Sequence, residues 1–148
     1  MKILNVGCGD DILSCADNTD VKPGTGVIVV DAGNLMSLYP KDSVDVIIMK
    51  SPRHFPFEGS DAKEVLKPGG LLVIIGNYSN PFFKSVWPCK DKNSLKVNLE
   101  VLLTYTENGF QYVSHDQPPN HPALQTSKTS NGSEIEPSTL KQLVLRKV

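Results

Sequence analysis

Three apolar runs, GVIVV at 26–30, VDVIIM at 44–49 and LLVIIG at 71–76, are too continuous and too β-branched for strands with one wet face. They predict a mostly parallel sheet covered on both sides, the core of an α/β layer architecture. A fourth run, ILNV at 3–6, leads straight into the turn VGCGDD. Between the second and third of the long runs, Ser60 and Asp61 can open a short helix through Leu66, which KPGG at 67–70 then stops. Strand, helix and strand in that order make a βαβ unit.

The stretch 94–106, SLKVNLEVLLTYT, fits two periods. Leu95, Leu99, Leu102 and Thr106 mark a helical stripe, whereas Val97, Leu99, Val101, Leu103 and Tyr105 alternate as in a strand. Helix is favoured, because Asn108-Gly109 makes a good C-terminal stop before a strand FQYVSH. The competing picture is a hairpin turning at Glu107-Asn108-Gly109. Residues 116–137 carry Pro, Asn, Ser, Thr and Gln with few apolar anchors, which predicts a long polar surface loop or a disordered insertion. The chain returns to order in TLKQLVLRKV, where Leu140, Leu143 and Leu145 suit a strand near the sheet edge. No internal repeat is visible.

At 148 residues the chain is the size of one domain, spanning 1–148. Lys+Arg 15 against Asp+Glu 16 leave a net charge of -1, so no general field draws it to phosphate backbones or acidic lipid. Nucleic acid is therefore unsupported by charge. Cys8, Cys15 and Cys89 include no C-x-x-C pair, which suggests neither a disulfide framework nor a zinc site and fits a reduced, cytoplasmic chain. No apolar run approaches membrane length, and the N-terminus lacks the order of a signal peptide.

A glycine turn directly after the first strand of such a sheet lets a ligand approach bare backbone, and sheet ligands gather at the carboxyl ends of strands. Gly7 and Gly9 supply that turn. Ile12 stands where a G-x-G-x-x-G fingerprint has its third glycine, and Asp10 and Asp11 would repel phosphate, so a nucleotide-binding Rossmann domain is the weaker reading. An acidic rim suits a ligand that carries positive charge and amine donors.

Taken in order, ILNVGCGDDILS, DNTDVKPGTGVIVVDAGNL, SVDVIIMKSP and EVLKPGGLLVIIG resemble small class I S-adenosylmethionine-dependent methyltransferases. The resemblance covers roughly residues 3–76, and the tail more loosely. It implies a compact Rossmann-like fold, a mostly parallel sheet with an antiparallel C-terminal strand, and S-adenosylmethionine as cofactor. Gly7 and Gly9 would then lie under the methionine and ribose, and Asp10 would meet the methionine amino group. Asp20 would accept the two ribose hydroxyls, and Asp31 with Ala32 would meet adenine. Lys50 and Ser51, ending the strand VDVIIM, would face the transferred methyl. Where amino methyltransferases have Asp/Asn-Pro-Pro-aromatic, this chain has KSPRHF, with one proline and no leading Asp or Asn.

His54 is the best-placed general base, since imidazole titrates near neutral pH; the alternative is an ordinary loop histidine. His115 and His121 have no carboxylate at ligand spacing, so both read as surface residues and no metal site is predicted. Asp20 and Asp31 are alternatively a turn residue and a helix cap. In NYSNPFFKSVWPCK at 77–90, aromatics alternate with lysines; they either stack on a planar substrate or a protein partner, or simply cap the sheet. The leading expectation is methyl transfer to an unidentified acceptor. Its rival is a methyltransferase-like domain without catalysis that serves as an interaction or scaffolding module.

Overall fold

The computed structural model describes residues 1–52, 61–89, 91, 96–116, 124–129 and 132–148. Seven strands form one sheet: β1 (Ile3–Val6), β2 (Asp17–Asp20), β3 (Val27–Val29), β4 (Val44–Lys50), β5 (Leu66–Gly76), β6 (Phe110–Asp116) and β7 (Lys141–Lys147). Their spatial order is β3-β2-β1-β4-β5-β7-β6. All neighbours pair in parallel as far as β5, while β7 is antiparallel to both β5 and β6. The expected α/β sheet with an antiparallel C-terminal strand is therefore present. That strand lies near the edge as expected, between β5 and the edge strand β6, and Leu143 and Leu145 are fully buried.

One face of the sheet is covered by helices. Leu4, Val6, Ile47, Met49, Leu72, Ile74, Leu143 and Leu145 pack there against Leu35, Val65, Phe83, Trp87 and Tyr105. These last five come from a 3-10 helix (Ala32–Ser37), α1 (Ala62–Val65), α2 (Pro81–Val86) with the residue after it, and α3 (Leu99–Glu107). The helical reading of 94–106 holds over α3: Asn98 caps it, Asn108 ends it, and Gly109 follows at φ 79°. Helix α1 is one residue shorter at its end than expected, because Leu66 already belongs to β5. Its opener Asp61 makes no side-chain cap bond and instead accepts from Met36 N at 2.8 Å.

The opposite face has no α-helix among the described residues, only a one-turn 3-10 helix (Pro137–Thr139) that leads into Leu140. Ile48, Val73 and Ile75 are covered there by Leu13, Leu140, Leu124 and Ile135. Leu13 comes from the ten residues that join β1 to β2, too few for a crossover helix. Leu124 and Ile135 flank a small antiparallel turn in the polar stretch, where Lys128 bridges Glu134 and Ile135 N donates to Ser127 O at 2.9 Å. At the outer edge β3 is only half covered, with Ile28 38% and Val29 57% exposed, so GVIVV is not buried on both faces as its composition predicts.

Candidate functional site

The turn after β1 lies at the carboxyl end of the parallel sheet, beside the end of β2. Gly7 and Gly9 both adopt positive φ, 67° and 52°, a region that glycine enters without steric cost. A Cβ built on either would meet no heavy atom within 4 Å, so both present bare backbone to open space. Cys8 between them points inward and is bonded through its N–H to Thr19 O at 3.0 Å. Burial, then the charge of Asp20, pushes its thiol up to about 11. It is therefore an inert packing thiol rather than a nucleophile.

Asp20 ends β2 and ties the two strands together at this point. Its Oδ2 accepts from Gly9 N at 2.8 Å and its Oδ1 from Lys22 N at 2.9 Å. A carboxylate has about four lone-pair positions, so each oxygen keeps one free for a ligand. Asp31 caps the 3-10 helix by accepting from Gly33 N at 2.7 Å, and Ala32 O accepts from Asp61 N. Both aspartates thus fill the local structural roles that their types favour, and both still stand at the carboxyl ends of their strands. Asp10 is exposed, and Oδ2 lies 3.8 Å from the Cβ position of Gly132 in the small turn. Met36 is 44% exposed, and Tyr39 Oη bonds Asp17 at the amino end of β2.

At the end of β4 the Lys50 ammonium forms a 2.9 Å ion pair with Asp11, and its side chain is 2% exposed. Ser51 holds φ at 49°, uncommon for a residue with a side chain, and its hydroxyl shares a 2.7 Å hydrogen bond with that of Ser127. His54, the expected base, and His121 lie outside the described residues.

Several residues that shape the site were not anticipated. Asn5 and Asn18 point from β1 and β2 into the helix-free face and hold the 7–16 connection. Asn5 Nδ2 donates to Asp11 O and to Asn18 Oδ1, both at 2.8 Å. Asn18 Oδ1 also accepts from Leu13 N, while its Nδ2 donates to Leu13 O and Ala16 O. Asparagine at an inward-facing strand position was the available signal, since a buried amide needs polar partners. Ser127, 1% exposed, gave no such signal within its polar run.

In the described part of the 77–90 stretch, residues 77–89, Phe83 and Trp87 are buried and stacked, 5.2 Å between centroids, and Phe82 packs against the same core. His115 is a correction, for it is half-buried rather than a surface residue. A bulge between Tyr112 and Ser114 turns it to the helical face. There it meets the edge of Trp87, Tyr112 Oη at Nδ1, and Cys89 Sγ 3.8 Å from Nε2.

No family model matches the chain, and no curated protein matches it. Many solved structures do. A SAM-dependent methyltransferase from Methanosarcina mazei aligns over 99% of this chain and 92% of its own, with a TM-score of 0.58 and 14% identity. A TehB-like SAM-dependent methyltransferase from Corynebacterium glutamicum gives 0.56 and 14% over 99% and 80% of the two chains. One from Aquifex aeolicus gives 0.53 and 15% over 100% and 82%. The fold is thus that of the class I methyltransferases, in agreement with the resemblance of the motifs.

Proposed function

We propose that the protein binds S-adenosylmethionine at the Gly7–Gly9 turn and transfers its methyl group to an acceptor. The supporting observation is the turn itself: two positive-φ glycines with open space above them, locked by Gly9 N–H to an Asp20 carboxylate that keeps acceptor capacity. A bound S-adenosylmethionine supplies a methyl group already activated by the sulfonium for in-line displacement. The chain then has to bind, align and exclude water. Asp20 accepts from the ribose hydroxyls through the lone pairs left by Gly9 and Lys22, a job for a carboxylate because it takes two donors at once. Asp31 Oδ2 and the Ala32 backbone serve adenine, and exposed Val21, next to Asp20, offers an apolar surface for a planar ring.

Calorimetric titration with S-adenosylmethionine and its demethylated product tests the reading. Asp20→Ala should weaken both by about 1–3 kcal/mol, the range for lost hydrogen bonds to a charged group. A folded wild-type protein that gives no heat and no thermal shift with either ligand would overturn it.

One observation favours the rival reading, a module that keeps the cofactor site without catalysis. Two of the three groups expected around the acceptor are engaged internally, Lys50 by Asp11 and Ser51 by Ser127. Cofactor binding without methyl transfer to any member of a small-molecule, peptide and RNA acceptor panel would support that reading; transfer would exclude it.

A further inference from the structure

We propose that the buried Lys50–Asp11 ion pair sets the preference of the glycine turn between S-adenosylmethionine, which bears a sulfonium, and S-adenosylhomocysteine, whose sulfur is neutral. The inference rests on the function proposed above, because it takes the ligand to lie at Gly7 and Gly9. The sheet register puts the pair beside that turn. Strands β1 and β4 run parallel with Asn5 level with Ile48, two residues before Gly7 on one strand and Lys50 on the other. Asp11 follows Gly9 by two residues, and its N–H bonds Cys8 O at 2.8 Å.

The pair is also shielded. Lys50 is 2% exposed and Asp11 17%, and Asp11 Oδ2 is buried with no hydrogen-bond partner among the described residues. Buried charges are screened less than exposed ones, so each of these acts on its surroundings more strongly than a surface charge would. Together they cancel. Asp10, by contrast, is exposed to solvent and Asp20 half exposed, where water weakens their fields. The two ligands differ by one methyl group and one positive charge at sulfur. Any net charge left beside the turn therefore changes their relative affinity, whereas the balanced pair changes it little.

Opposite effects follow from the two halves of the pair. Lys50→Met leaves a carboxylate and should shift the affinity ratio about tenfold toward S-adenosylmethionine. Asp11→Asn leaves an ammonium and should shift it about tenfold the other way. The neutral double variant should return to within twofold of the wild-type ratio. Because adenosine and amino-acid parts are common to both ligands, the ratio cancels general damage to the turn, which would weaken the two alike. The experiment is calorimetric titration of the full chain and its variants with both ligands. Should Asp11→Asn not fold, Lys50→Met and the double variant carry the test. Affinities that fall together in Lys50→Met, with the ratio unmoved, would overturn this inference alone. Wild-type protein that binds neither ligand would overturn the proposed function, and this inference with it.

Discussion

At the scale of single residues, two buried polar side chains make opposite cases. Asn18 is 6% exposed and completes four hydrogen bonds, three with the 13–16 backbone and one with its neighbour Asn5. Asn18→Ala strands Leu13 N–H and two carbonyls away from water, so it should cost about 2–4 kcal/mol in urea unfolding. Tyr105 is 1% exposed, and its hydroxyl has no hydrogen-bond partner among the described residues. Removing an unsatisfied buried hydroxyl removes its desolvation cost. Tyr105→Phe should therefore leave stability unchanged or raise it by about 1 kcal/mol in the same assay. A loss of stability in Tyr105→Phe would reveal a partner for that oxygen.

At the scale of elements, the Ser51–Ser127 hydroxyl pair hydrogen-bonds the small turn that begins at Ser127 to the residue after β4. Ser51→Gly loses that bond but also releases a left-handed backbone, two terms of about 1 kcal/mol and opposite sign. Ser127→Ala loses the bond with no such release, and leaves the Ser51 hydroxyl without its partner. Ser127→Ala should thus be the more destabilising by about 1 kcal/mol, read from denaturant midpoints; the reverse order would show that the Ser51 backbone is unstrained. Legibility followed the same division between strong and weak local signals. ILNV, VDVIIM and LLVIIG were readable as strands because their burial is carried by their own side chains. DNTD was not, for β2 buries Asn18 and Thr19 against polar backbone, and polar residues carry no strand period. The position of β7 inside the sheet depends on β6 returning to its far side, which no local pattern encodes. The turn of Gly7 and Gly9 was legible through its turn chemistry. The Lys50–Asp11 pair joins residues 39 apart, and only the folded register brings them together.

At the scale of the whole molecule, the buried titratable groups set how stability depends on pH. Burial, with the charge of Asp20, raises Cys8 from 9.0 to about 11. Burial, with a hydrogen bond and charge from Asp17, raises Tyr39 from 10.0 to about 12. Tyr105 is raised still further by burial, and Cys89 moves the same way. Each of these groups holds its proton more tightly when folded than when unfolded. Their stabilising contribution is fully present below the unfolded values and is lost as pH rises through the folded ones. Lys141, lowered by burial, works in the opposite sense but is a single group against six raised cysteines and tyrosines, Tyr78 and Tyr112 included. Stability should therefore be level between pH 7 and 8.5 and fall by about 2 kcal/mol or more between pH 9 and 12. Urea unfolding at stepped pH measures the fall, and Tyr39→Phe should flatten its upper part, because phenylalanine has no proton to lose. A level profile through pH 11 would mean that Cys8 and Tyr39 reach water in the folded state, and would remove the dry interior on which the inertness of Cys8 beside the glycine turn depends.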